Sequence, residues 1–353
     1  MNKILYVILN GKEYGGSEKH VVDIINNLSD CFEVSLVMSE GNDMSKYINK
    51  NKCKTIYYLN RDKLNSILTL KKIINKEKPD IIHAHAARAL FMTRIAAKKY
   101  VKKNNKRLIC TAHGWILNYL KFSRIKEKMF LLNRNIDYKT LAVSNYSMNE
   151  MIDKGYSKDK MSYIYNGIDI KSYNDSAIIK KNVKNINYIG RFTDQKGIDY
   201  LLEALTYFKD SEINFRIYGK GEKEELIKDF IKKNDLKNVQ LKGYIPADEV
   251  INVLHDTDVL LLPSIDEGFP YILVEAVASG VPCIATDVGG VSEIINNENG
   301  IIIKPKKVDL IIDAINEMIN TDIEKKSKKC IEESIKFDIS TMISNIEKIY
   351  RGE

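Results

Sequence analysis

The stretch Val259-Leu-Leu-Leu-Pro-Ser-Ile-Asp-Glu267-Gly-Phe-Pro-Tyr-Ile-Leu-Val-Glu275-Ala-Val-Ala-Ser-Gly-Val-Pro-Cys283-Ile-Ala-Thr286 reads as strand, loop, helix and strand. Val259–Pro263 and Cys283–Thr286 are short and apolar, without the alternation of a half-wetted strand, as strands buried on both faces are. Pro270 suits a helix start, because its fixed φ and missing N–H fit the first turn. That helix start turns free amides and a positive dipole end toward any anion in front of it. Glu267 stands in the loop before the helix, and Glu275 about one and a half turns inside it, after the apolar run Tyr271–Val274. A carboxylate in such surroundings needs hydrogen-bond donors, which sugar hydroxyls can supply. Taken singly, the two also fit a surface glutamate and a helix-stabilising one.

The same alternation runs outward in both directions. In the first half, strands are predicted at Ile4–Leu9, Glu33–Met38, Thr55–Tyr58, Ile81–Ala84, Arg107–Thr111 and Thr140–Val143, with helical spacing between them, as at Glu18–Leu28 and Leu64–Glu77. In the second, they are predicted at Ile186–Ile189, Asn214–Tyr218, Val239–Lys242, Val259–Pro263, Cys283–Thr286 and Gly300–Ile303. Apolar strands alternating with helices form parallel sheets covered on both faces. Two series in 353 residues imply an α/β chain of two doubly wound domains. The expected division is a first domain over residues 1–165, a polar linker over 166–185, a second domain over 186–335, and a tail helix over 336–353. The tail's apolar spacing (Ile339, Met342, Ile343, Ile346) lets it pack on either domain.

Open parallel sheets bind ligands beyond the carboxyl ends of their strands, and the chemically expressive residues fall there. After Ile186–Ile189 comes Gly190-Arg-Phe-Thr-Asp-Gln-Lys-Gly197, whose Arg191 and Lys196 combine a bidentate donor with a point charge, a pair suited to a diphosphate. After Asn214–Tyr218 comes Gly219-Lys-Gly221, also readable as a simple helix entry. After Cys283–Thr286 comes Asp287-Val-Gly-Gly-Val-Ser-Glu293. Four loops on one sheet edge thus carry glycine, charge or both.

Gly190 to Glu293 resembles the donor-binding domain of the retaining glycosyltransferases of family 4, which have the two-domain GT-B fold. The resemblance rests on GRFTDQKG at 190–197, GKGE at 219–222, SIDEGFPYILVEAVASGVPCIAT at 264–286 and DVGGVSEII at 287–295, with seven residues between Glu267 and Glu275. It implies transfer from a nucleotide-sugar, most often a UDP-sugar, to a hydroxyl, without a metal or other cofactor. Glu275 would hold the ribose hydroxyls and Glu267 those of the donor sugar. Arg191 and Lys196 would neutralise the diphosphate, with Gly190, Gly219 and backbone amides near Phe269 and Leu273 beside it. The first domain would take the acceptor, expected to be a lipid-linked saccharide of a surface polymer or else a small soluble molecule.

Two features of the first half fit the same family. Gly15-Gly-Ser-Glu18 follows the first strand at a helix entry, with Ser17 able to cap; the resemblance puts Gly16 near the donor phosphates. The approach Gly11-Lys-Glu-Tyr14 is longer than in typical members. His83-Ala-His85 ends one strand and Thr111-Ala-His113-Gly114 the next. A metal held by His83, His85 and His113 is conceivable, yet no carboxylate or cysteine stands at ligand spacing, so no metal is expected. The resemblance instead makes His113 a sugar-positioning residue and places His85 in the acceptor region, with His83 a packed strand residue.

Composition narrows the remaining classes. The five cysteines are scattered, with no CxxC, which points to a reducing compartment rather than a disulfide framework. The apolar run Ile4–Leu9 is short and is followed by Asn10-Gly-Lys-Glu13, so a buried first strand is expected rather than a signal peptide. No apolar run approaches the ~20 residues of a membrane span, so a cytoplasmic protein is expected. Residues 1–165 hold 30 Lys+Arg against 15 Asp+Glu, and the remainder 25 against 32. The basic half, with Lys98–Arg107 and the Leu117–Arg134 stretch, suits peripheral contact with an anionic membrane face; a lysine-rich composition alone produces it too. A nucleic-acid binder is disfavoured by the lack of a recognition motif or cation-interleaved aromatics, and a sugar-nucleotide epimerase by the glutamate pair.

Overall fold

The computed structural model describes residues 2–10, 14–60, 65–114 and 131–353. It divides into two units, Met1–Gly167 together with Ile339–Glu353, and Ile168–Asp338.

The first unit is a seven-stranded, all-parallel sheet of β1 (Asn2–Ile8), β2 (Phe32–Ser39), β3 (Thr55–Leu59), β4 (Ile81–His85), β5 (Arg107–Ala112), β6 (Lys139–Ala142) and β7 (Met161–Tyr163). The spatial order is β3-β2-β1-β4-β5-β6-β7. β1 is central, and its residues from Ile4 onward are buried on both faces: Leu5 and Val7 join one apolar core, Ile4, Tyr6 and Ile8 the other. The second core also takes Met342, Ile343, Ile346 and Tyr350 of the final helix, Ile339–Arg351. A buried network fixes that helix. The Tyr350 hydroxyl stands 2.6 Å from His83 Nδ1 and 2.7 Å from the Tyr6 hydroxyl, while His83 Nε2 lies 2.7 Å from Thr111 Oγ1. His83 is therefore a packed strand residue, as expected.

The second unit has six parallel strands, β8 (Asn185–Ile189), β9 (Asn214–Tyr218), β10 (Val239–Gly243), β11 (Val259–Leu262), β12 (Cys283–Thr286) and β13 (Gly300–Ile303), in the order β10-β9-β8-β11-β12-β13. Each sheet reverses its winding once, between β1 and β4 in the first unit and between β8 and β11 in the second. This is where a doubly wound sheet opens a crevice at its carboxyl edge.

Sequence and structure part in three places. The stretch 166–185 is not a free linker. Ile170–Asn174 is a helix capped by Asp169, and Lys180 is buried in the second unit with Nζ donating to the carbonyls of Leu254 and His255. β7 has no counterpart among the predicted strands. Ser17 does not cap its helix, which begins at Gly16 with Gly15 preceding it; its hydroxyl accepts from Asn10 Nδ2 and donates to Glu18 Oε2. Residues 117–130 of the basic stretch and residues 11–13 of the first loop lie outside the described residues. Among the described residues, no helix is long and apolar enough to cross a membrane.

Candidate active site

At the switch point of the second unit, the loops leaving β8 and β11 are stitched together. Ile265 N donates to the Gln195 carbonyl at 2.8 Å, and Gln195 Nε2 donates to the Asp266 carbonyl at 3.0 Å. Between these two bonds Lys196 Nζ forms an ion pair with Glu267 Oε1, and both side chains are nearly withdrawn from solvent. The same oxygen accepts from Ser264 Oγ at 2.7 Å, and the Ser264 carbonyl accepts from Thr286 Oγ1 at 2.5 Å. The carboxylate thus joins the loops that leave β8 and β11, and Ser264 links them to the end of β12. Burial, with the Glu267 charge beside it, pushes the neighbouring Asp266 carboxyl up to about 6.

The glycines of these loops serve close approach of backbone to backbone. Gly289 has φ +57°, and a Cβ there would lie 1.8 Å from the Glu267 carbonyl oxygen; the adjacent Gly290 N donates to the Gly268 carbonyl at 2.9 Å. Gly219, with φ +142°, would place a Cβ 1.9 Å from the Gly190 carbonyl oxygen. No L side chain fits at either position without moving the loop that carries Glu267 or Arg191. Gly190 and Gly219 are therefore in mutual contact. Arg191 is exposed on their loop, with Nη2 3.5 Å from Gln195 Oε1.

The helix Tyr271–Ala278 follows Pro270, as expected. Leu273 is fully buried, and its amide donates to the Pro270 carbonyl at 3.1 Å, closing the first turn. Phe269 is buried too, its ring edge-on to Phe337 at 5.5 Å. Glu275 is 7% exposed, on a helix otherwise sunk in the core.

At the carboxyl edge of the first unit's sheet three histidines gather. His85 ends β4, His113 follows β5, and His20 lies one turn beyond Gly16 in the helix Gly16–Asn27. His85 Nδ1 is 3.4 Å from His113 Nε2, and the His20 and His113 rings meet edge-on with centroids 4.9 Å apart. His20 Nδ1 donates to Asn166 Oδ1 at 3.0 Å. Burial holds all three imidazoles neutral, His20 at about 4 and the other two well below the ordinary histidine value. Glu18 is also buried, one carboxylate oxygen taken by Ser17 and the other, Oε1, unpartnered.

The structure therefore joins Lys196 to Glu267, Gly190 to Gly219, and His85 to His113. Sequence reasoning missed Ser264, Gln195 and Thr286, which hold the glutamate loop, and His20 with Asn166, which complete the histidine group. Ser264 reaches Glu267 within its own loop, whereas the partners of Thr286, Gln195 and His20 stand 22, 71 and 146 positions away. Only strand order brings them together, although Gly16-Ser-Glu-Lys-His20 hinted that His20 faces the same edge.

Comparison with known proteins agrees with this architecture. The family model for glycosyltransferase family 4 matches residues 14–172, and that for glycosyl transferases group 1 matches residues 169–337. An uncharacterized glycosyltransferase of Methanocaldococcus jannaschii is 30% identical over 350 residues, covering 95% of this chain and 94% of its own. The Escherichia coli UDP-Gal:alpha-D-GlcNAc-diphosphoundecaprenol alpha-1,3-galactosyltransferase is 25% identical, covering 90% of this chain and 89% of its own. The crystal structure of Anabaena HepE with UDP and glucose superposes with a TM-score of 0.85 at 20% identity over the whole of both chains, a likeness of fold. With two parallel-sheet units, each matched by one half of the family's pair of models, the chain belongs to the family 4 glycosyltransferases and has the GT-B fold.

Proposed function

We propose that this glycosyltransferase moves a hexose-type sugar from a UDP-sugar to a hydroxyl of a lipid-linked saccharide in surface-glycan assembly, with retained anomeric configuration and no metal cofactor. The observation that carries the reading is the Lys196–Glu267 pair at the switch point of the second unit. It sets a cation beside a carboxylate in a cleft edge built from three strand ends. In this reading Glu267 meets donor-sugar hydroxyls and Glu275 the ribose, while Arg191 and Lys196 face the diphosphate where Gly190 and Gly219 bring two loops together. Phe269 contributes its backbone, and Leu273 anchors the first helical turn. From the first unit, this reading gives Gly16 a role with the donor phosphates, His113 one with the sugar and His85 one with the acceptor.

The bond from the sugar's anomeric carbon to the diphosphate oxygen breaks as the acceptor oxygen bonds to that carbon from the same side. The acceptor proton passes to the departing diphosphate. Glu267 Oε1 already accepts from Lys196 and Ser264, so its role is to hold hydroxyls and orient the lysine rather than to attack. Two cations then stabilise the charge growing on the leaving group, a preorganised electrostatic effect.

The acceptor class is supported by the E. coli relative, whose name specifies a diphosphoundecaprenol-linked acceptor and a UDP-sugar donor. It is supported also by Lys98, Lys99, Lys102 and Lys103, exposed on the helix Ala87–Asn104, which suit an anionic membrane face. Co-sedimentation with phosphatidylglycerol vesicles that falls with salt supports that contact, and equal binding to neutral vesicles contradicts it. For the reaction, the chain is incubated with UDP-hexoses in EDTA, with and without a polyprenyl-diphosphate saccharide. UDP release and a mass gain of one hexose only with acceptor are expected. Sugar epimerised from donor alone, or strict dependence on added divalent metal, overturns the reading.

A further inference from the structure

The histidine group at the first unit's sheet edge has the makings of a metal centre that the transfer reaction does not require. One ring nitrogen from each of His20, His85 and His113 lies within 4.8 Å of one from each of the others. His85 Nδ1 and His113 Nε2 are 3.4 Å apart, matching the ~3.4 Å between two ligands held at about 2.1 Å around a tetrahedral ion. The three come from different elements: the first-loop helix, the end of β4, and the residue beyond β5.

The surroundings also suit a ligand set. Because Asn166 Oδ1 can only accept, His20 Nδ1 carries a proton and its Nε2 keeps the lone pair that a metal takes. Outer-shell bonds of this kind fix the tautomer and orientation of metal-bound histidines. His85 has no exposed surface, and its Nε2 has no hydrogen-bond partner. Its ring is wedged between Tyr6, at 5.8 Å, and His83, at 4.0 Å. The fourth histidine of this unit is not available, since both His83 nitrogens are engaged by Tyr350 and Thr111. His113 keeps partial exposure, which gives an ion a route in and leaves one coordination position to water.

We infer that His20, His85 and His113 form a three-histidine site for a borderline divalent transition metal, Zn2+ being the best fit. Imidazole nitrogens without carboxylate favour zinc and its neighbours over magnesium or calcium. If His113 positions the sugar as proposed above, an ion taking its nitrogen inhibits transfer, so zinc is here an inhibitor and not a cofactor.

The test uses untagged full-length chain freed of metal by chelator dialysis, titrated with Zn2+ alone by calorimetry and with Co2+ alone by visible absorption. One Zn2+ per chain and intense four-coordinate Co2+ bands are expected. His20→Gln and, separately, His113→Gln should weaken Zn2+ binding roughly ten-fold or more, whereas His255→Gln, in the other unit, should leave it unchanged. No binding by the folded wild-type chain overturns the site, as does unaltered binding in either folded variant. Zinc bound at full stoichiometry without slowing turnover keeps the site and contradicts the role given to His113.

Discussion

Lys196 and Glu267 are each other's nearest charge, and that pairing decides what either substitution does. In the proposed reaction, Lys196→Ala removes a cation from the leaving group, and it leaves the Glu267 carboxylate to Ser264 alone. The expected loss in kcat is about 10²-fold or more, with secondary structure retained by circular dichroism. Turnover within a few-fold of wild type would remove the lysine from the mechanism. Asp266, one position away, titrates in the opposite sense to most carboxylates. Its folded-state value is raised to about 6, so between roughly pH 4 and 6 the folded chain binds more protons than the unfolded one. Stability falls as pH rises through that window, and the penalty is full above it. Asp266→Asn removes the penalty and should stabilise the second unit by about 1–2 kcal/mol at pH 7, solvent screening of the partly exposed carboxyl lowering the full value, with no gain at pH 4. Urea midpoints at the two pH values check this, and equal midpoints at pH 7 count against it. The sheet-edge placement of Arg191, Lys196 and Glu267 was legible in the sequence because short Gly-bearing loops after apolar strands lie at the sheet edge. The residues that hold them were not, since Ser264, Gln195 and Thr286 are ordinary polar residues until β8, β11 and β12 become neighbours.

At the scale of elements, strands were easier to read than their connections. Twelve strands follow from apolar runs, and their predicted ends fall within two residues of the observed ones. β7 was missed because Met161-Ser-Tyr163 is three residues long at a sheet edge, too short for any period to register. The 166–185 stretch looked like a linker because it is polar, yet Lys180 buries its charged end against two carbonyls. The final helix shows how a far-off segment supports the site. Tyr350 ties it to His83 on β4 and, through His83, to Thr111 on β5, two residues before each strand delivers its site histidine. Tyr350→Phe keeps the ring and removes one hydroxyl, leaving the Tyr6 hydroxyl and His83 Nδ1 without it. The expected cost is about 1–3 kcal/mol, read as a lowered unfolding midpoint of the first unit. An unchanged midpoint would show that the buried network contributes nothing net.

For the whole molecule, the two units differ in charge as well as in sequence. The basic surplus lies in residues 1–165 and the acidic one beyond them, while the loops expected to meet the donor sit on the acidic unit with their own local cations. In the proposed function, association with an anionic surface and binding of a nucleotide depend on different residues and can be measured apart. The central claim is that a UDP-sugar binds the carboxyl edge of the second unit's sheet, and hydrogen–deuterium exchange with and without saturating UDP-hexose tests it most directly. The account predicts slowed exchange in peptides covering 190–197, 264–275 and 287–293, with the β9–β10 region unchanged beyond its loop at 219–222. Saturable binding that leaves those three peptides unprotected would contradict it.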